Sequence, residues 1–128
     1  IFMHVRKLEY STDGNKDVKV QTFMFDRFSR YIKKKKYIFD SYVVFTNIKN
    51  IKLLGKANLD TLCTMKSIAF VNAGKESRFN ARLIGNVLAH ELGHNFGLEH
   101  VSDLNPQNCT CHILNPKYCI MYAVAHDW

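Results

Sequence analysis

His90, Glu91, His94 and His100 fall in one short run, His90-Glu91-Leu92-Gly93-His94-Asn95-Phe96-Gly97-Leu98-Glu99-His100, and their spacing suits a metal ion holding a reactive water. Residues four apart share a helix face, so His90 and His94 can aim both imidazoles at one ion. Glu91, turned about 100° from His90, can lie beside that ion and act on its water without being a ligand. His100 cannot join on the same helix: six residues past His94 it would stand roughly 240° around the axis and about 9 Å along it. The helix must therefore end between them. Gly97 allows this, because glycine enters the left-handed helix-ending conformation without a Cβ penalty. Three histidines leave the fourth tetrahedral position for water, as in a catalytic rather than a structural zinc site. A bare His-Glu-x-x-His also arises by accident on amphipathic helices, but the glycine and the third histidine at fixed spacing tell against accident.

These residues need a helix to carry them and a sheet to support it. The pattern predicts a long helix from about Phe79 to Phe96, with Leu83, Val87 and Leu88 toward the sheet and His90 and His94 toward a cleft. Ile1 to Tyr10 reads as a strand closed by the turn-rich Ser11-Thr12-Asp13-Gly14-Asn15. Thr22 can cap a helix to about Lys36 that buries Met24, Phe28, Tyr31 and Ile32. Strands are expected at Ser41 to Thr46, Gly55 to Leu59 and Ser67 to Val71, and loop after His100, where Pro106 and Pro116 exclude regular helix nearby. The expected class is mixed α/β (α+β).

At 128 residues and 47% apolar content, one domain over 1–128 with its own core is the expectation. No apolar run approaches the roughly 20 residues of a membrane-spanning helix. The net charge of +7 gathers partly at Lys33 to Lys36 and at Lys49, Lys52 and Lys56. Such a patch could meet a polyanion, a membrane surface or an acidic substrate. A solubilising helix end is the favoured alternative, because no aromatic interleaving or nucleic-acid motif accompanies the lysines, and no nucleic-acid partner is expected. Four cysteines fit an oxidising compartment and allow three pairings, while the absence of a Cys-x-x-Cys knuckle argues against a cysteine zinc site. Asn108-Cys109-Thr110 is an N-glycosylation sequon.

The eleven-residue run resembles the metzincin signature, and Cys119-Ile120-Met121 looks like the Met-turn that metzincins place beneath the zinc. The Cys-Ile-Met form is similar to the adamalysin (reprolysin) branch, the metalloproteinase domains of snake-venom enzymes and of ADAM (a disintegrin and metalloproteinase) proteins. Gly55-Lys56-Ala57-Asn58-Leu59-Asp60-Thr61-Leu62-Cys63 resembles that branch's edge strand, and Cys109-Thr110-Cys111 with Cys119 its cysteine spacing. Leu8-Glu9-Tyr10 and Phe28-Ser29-Arg30-Tyr31 look like diverged family positions. The branch usually has Asp directly after the third histidine; here stands Val101, which implies a weaker anchor for that loop. Tyr122 directly follows Met121 and does not match the astacin ligand tyrosine, which is set two residues after the methionine.

The resemblance implies a zincin-like metzincin fold, a twisted mixed sheet with a long active-site helix and a Met-turn. Parts of the family's domain at both ends are expected to be missing. It implies Zn2+ as cofactor, held by His90, His94 and His100, with Glu91 as general base, Met121 under the histidines and Gly97 at the helix-ending turn. The strand Gly55, Lys56, Ala57, Asn58 and Leu59 would bind an extended protein or peptide substrate. Cys111 would pair with Cys119, while Cys63 and Cys109 would normally pair with cysteines further along, or stay free, or pair with each other. The expected function is an extracellular zinc endopeptidase, a monomeric domain of a larger multidomain protein. A non-catalytic ADAM-type recognition domain, or a polyanion-binding module that zinc merely stabilises, remains open.

Overall fold

The computed structural model describes residues 17–35, 39–47, 53–73, 81–101 and 119–122, with backbone alone for 17–22 and 35. The expected N-terminal strand, Lys36 and the segment with Cys109 and Cys111 lie outside the described residues. Helix α1 spans Asp17–Lys35, strands β1, β2 and β3 span Tyr42–Thr46, Gly55–Ala57 and Ile68–Asn72, and helix α2 spans Ala81–Asn95.

The strands form one mixed sheet in the order β1-β3-β2. β1 runs parallel to β3 from Tyr42↔Ile68 to Thr46↔Asn72, and β2 runs antiparallel to it from Gly55↔Val71 to Ala57↔Ala69. Every residue of β3 is buried, as its continuous apolar run Ile68-Ala69-Phe70-Val71 requires of a central strand. Asn72 at its end is buried too, and its carboxamide is satisfied by accepting from the Thr46 hydroxyl at 3.2 Å and donating to Leu53 O at 3.4 Å.

α1 begins before Thr22, which is therefore interior to the helix and not its cap. Nothing in Asp17 to Gln21 breaks a helix, and Asp17 suits the positive end of the helix dipole. Ile32, Tyr42 and Ile68 form a core cluster with Phe25, Phe28 and Val44 packed against it. The buried stripe is thus 25, 28 and 32, a true i, i+3, i+7 row. Tyr31, expected inside, is exposed and stacks on Phe28 at 6.2 Å. Lys33 and Lys34 are exposed. Among the described residues no helix is long and apolar enough to cross a membrane.

β2 stops at Ala57, two residues short of the expected Leu59. Asp60, at φ 52, turns the chain away, and its N–H donates to His94 O at 2.9 Å. The segment after β2 is thereby tied to the end of α2 rather than continuing along β3.

Candidate metal centre

His90 and His94 stand on the last turns of α2, with Val87 and Glu91 facing inward. The helix ends as the spacing required. Gly97 has φ 88, its N–H donates to His94 O at 2.9 Å, and the Leu98 N–H donates to Gly93 O at 3.0 Å. This is a Schellman ending, in which both bonds satisfy carbonyls the helix leaves open. The reversal brings His100 back beside the helix, where Val101 holds it. Val101 is 1% exposed, its N–H donates to Met121 O at 2.9 Å, and it pairs with Tyr122 in a parallel bridge. Val101, for which the resemblance implied a weaker anchor, is buried with Cys119 and Met121.

The three Nε2 atoms converge. His90 and His94 are 3.1 Å apart, and each is 3.0 Å from His100. These contacts are not a hydrogen-bonded ring. His90 Nδ1 lies 2.7 Å from Ile120 O and His94 Nδ1 2.7 Å from Leu98 O. A carbonyl can only accept, so each of these Nδ1 atoms carries a proton, and the Nε2 atoms are the ones turned toward the shared centre. Burial, together with the neighbouring imidazoles and opposed by the Ile120 carbonyl, holds His90 below the ordinary histidine value. Burial and His94 act likewise on His100. Carbonyls that hold Nδ1–H in this way orient the rings of His90 and His94 as ligands of a metal ion are oriented.

The donor set fits zinc. Three imidazole nitrogens 3.0–3.1 Å apart are close enough to be shared by one ion, which His90, His94 and His100 would hold. Among the described residues these three histidines are the group of potential ligands close enough to share an ion.

Glu91 lies on the buried side of α2, 5% exposed, and its Oε2 has no hydrogen-bond partner among the described residues. Burial pushes its carboxyl up to about 8. Beside it runs Gly55, where an added Cβ would fall within 3 Å of the Glu91 side chain and at 2.7 Å from Val87 Cγ1. Gly55 was expected only as the start of the substrate strand; the structure shows that its missing side chain is the space Glu91 occupies. Gly93 does the same for Met121, whose sulfur lies where a Cβ would be, so Met121, 4% exposed, packs directly on the histidine helix. Tyr122 is half-buried in the bridge with Val101 and is not among the converging ligands.

Sequence reasoning missed the carbonyls of Ile120 and Leu98, because backbone acceptors leave no mark on residue type. It also missed Asn95, which is fully buried at the helix end and donates to Asn58 O at 2.8 Å. Cys63 is a free, exposed thiol directed at Asp40 Oδ1, 3.6 Å away. Cys119 is buried with Val101 and Met121; its expected partner, Cys111, lies outside the described residues.

Two comparisons bear on this geometry. Residues 6–127 match the family described as "Reprolysin (M12B) family zinc metalloprotease". A "Zinc metalloproteinase-disintegrin-like" protein of Cerberus rynchops is 33% identical over 84 residues, 64% of this chain and 12% of the relative's length. The chain thus spans about an eighth of that relative.

Proposed function

Because the chain belongs to the reprolysin (M12B) family of zinc metalloproteases, we propose that it is a zinc endopeptidase domain of a larger extracellular or cell-surface protein, cleaving peptide bonds of proteins outside the cell. The carrying observation is the convergence of three imidazole nitrogens 3.0–3.1 Å apart, on a helix that also carries a buried carboxyl with an unpartnered oxygen. His90, His94 and His100 would hold the ion. Zinc bound there supplies Lewis-acid polarisation of the scissile carbonyl and a water whose pKa is lowered toward neutrality. Glu91 takes the proton of the attacking water on a carboxylate oxygen. As the carbon–nitrogen bond breaks, Glu91 returns that proton to the departing amine, so no acyl-enzyme forms. Met121 acts as an apolar floor under the histidines.

The β2 register supports a substrate strand here. Asn72 N–H donates to Leu54 O at 2.7 Å and Asn58 N–H to Ile68 O at 3.3 Å, so residues 54, 56 and 58 direct their backbone groups at β3. By strand alternation Gly55 and Ala57, with Leu59 just beyond, direct theirs at the open edge, where an antiparallel peptide would pair. The pairing of Cys111 with Cys119 and a polyanion contact at Lys33 to Lys36 belong to the same proposal as secondary features.

Glu91→Gln tests the reading. The variant should keep one zinc per chain by metal analysis and lose peptide cleavage by roughly 10²–10⁴-fold. Equal cleavage by both proteins would remove Glu91 from the chemistry. Zinc binding without cleavage by either would favour the non-catalytic recognition domain, and activity that survives a chelator would sink the zinc mechanism.

A further inference from the structure

We propose that Asn95 is a positioning residue that sets the height of the substrate strand against the imidazole cluster, a role that rests on the endopeptidase reading above. Asn95 directly follows His94 and is 0% exposed, and its carboxamide joins three separate segments. Oδ1 accepts from the Ser41 hydroxyl at 2.8 Å, while Nδ2 donates to Asn58 O at 2.8 Å and to Ile68 O at 3.3 Å. The two carbonyls can only accept, so the orientation of the amide is determined.

The bond to Asn58 repairs a missing rung of the sheet. Asn58 N–H donates to Ile68 O as in an antiparallel pair, but the reciprocal donor is absent because the Ile68 N–H turns to Lys66 O at 2.8 Å. Asn95 Nδ2 supplies that donor from the metal-bearing helix. The Thr61 hydroxyl adds a second donor to Asn58 O at 3.1 Å. The Thr61 and Leu62 N–H groups both return to Asn95 O at 3.0 Å. The strand therefore leaves β3 only by attaching to α2, one residue from a metal ligand, and a peptide paired along Gly55 and Ala57 inherits that height.

Asn95→Asp tests this most directly, since it places carboxylate oxygens against the Asn58 and Ile68 carbonyls while Ser41 keeps its acceptor. Amide exchange at Asn58 and Asp60 should quicken by roughly tenfold or more. The visible spectrum of the cobalt-loaded protein should stay that of wild type. KM for extended peptides should rise roughly tenfold with kcat changed less than about threefold. Should Asn95→Asp not fold, Thr61→Val withdraws the other donor to Asn58 O and should shift exchange and KM in the same direction by about threefold. Wild-type exchange rates, a changed cobalt spectrum, or a loss confined to kcat would each overturn the role of Asn95. A wild-type protein that cleaves no peptide would instead overturn the endopeptidase reading, while the exchange rates still decide whether Asn95 anchors the strand.

Discussion

The Glu91 carboxyl, ordinarily at 4.5, is pushed to about 8 by burial, because an ionised carboxylate away from water loses its hydration. The folded pKa lies above the unfolded one. The fold is therefore most stable below about 4.5 and loses that contribution as pH rises toward 8. Chelator-treated protein should lose on the order of a few kcal/mol across this window, and Glu91→Gln should flatten the loss. Melting curves from about pH 5 to pH 8 check this, and an unchanged slope in the variant would assign it to another group. Zinc loading should shrink the slope, since a neighbouring dication favours the carboxylate. Gly55→Ala tests the space beside Glu91. Its methyl meets the Glu91 side chain and Val87, so kcat should fall roughly ten- to a hundredfold from a misplaced base while zinc content stays at one per chain. Wild-type kcat would show that Glu91 has room to move.

At the scale of elements, the site is made by how α2 ends. Gly97→Ala forces a Cβ into φ 88, costs on the order of 1 kcal/mol, and loosens the turn that aims both the Leu98 carbonyl and His100. Zinc affinity should drop by roughly tenfold in a competition titration against a chromophoric chelator. Gly97→Asn should cost less, because asparagine tolerates the left-handed region. Equal affinity in the alanine variant would mean that His100 is held by Val101 alone. The helix, its stop and the meeting of its histidines were legible in the sequence because each depends on neighbours within one or two turns. The end of β2 was not legible. Its boundary is drawn by Asn95, 37 positions away, and strand propensity carries no record of so distant a donor.

Among the described residues there are two apolar groups: Ile32 of α1 with Tyr42 and Ile68 of the sheet, and Val101, Cys119 and Met121, the last packed on α2 at Gly93. Val101, at the position where the resembled branch usually has aspartate, belongs to the second group. Val101→Asp should destabilise the protein by roughly 2–4 kcal/mol, as a carboxylate buried without partners does, and should lower zinc retention as His100 loosens. Thermal unfolding with metal analysis checks both; a stabilised variant would show that the loop can turn its side chain to a polar partner. The sequence by itself determined that three histidines would meet and where the helix would break, because helical periodicity converts residue spacing directly into direction. Only the tertiary structure decided how those groups are aimed. The Ile120 and Leu98 carbonyls, the gap at Gly55 and the Asn95 carboxamide act through contacts that form when separated segments pack, and no local pattern encodes which backbone atom will lie opposite.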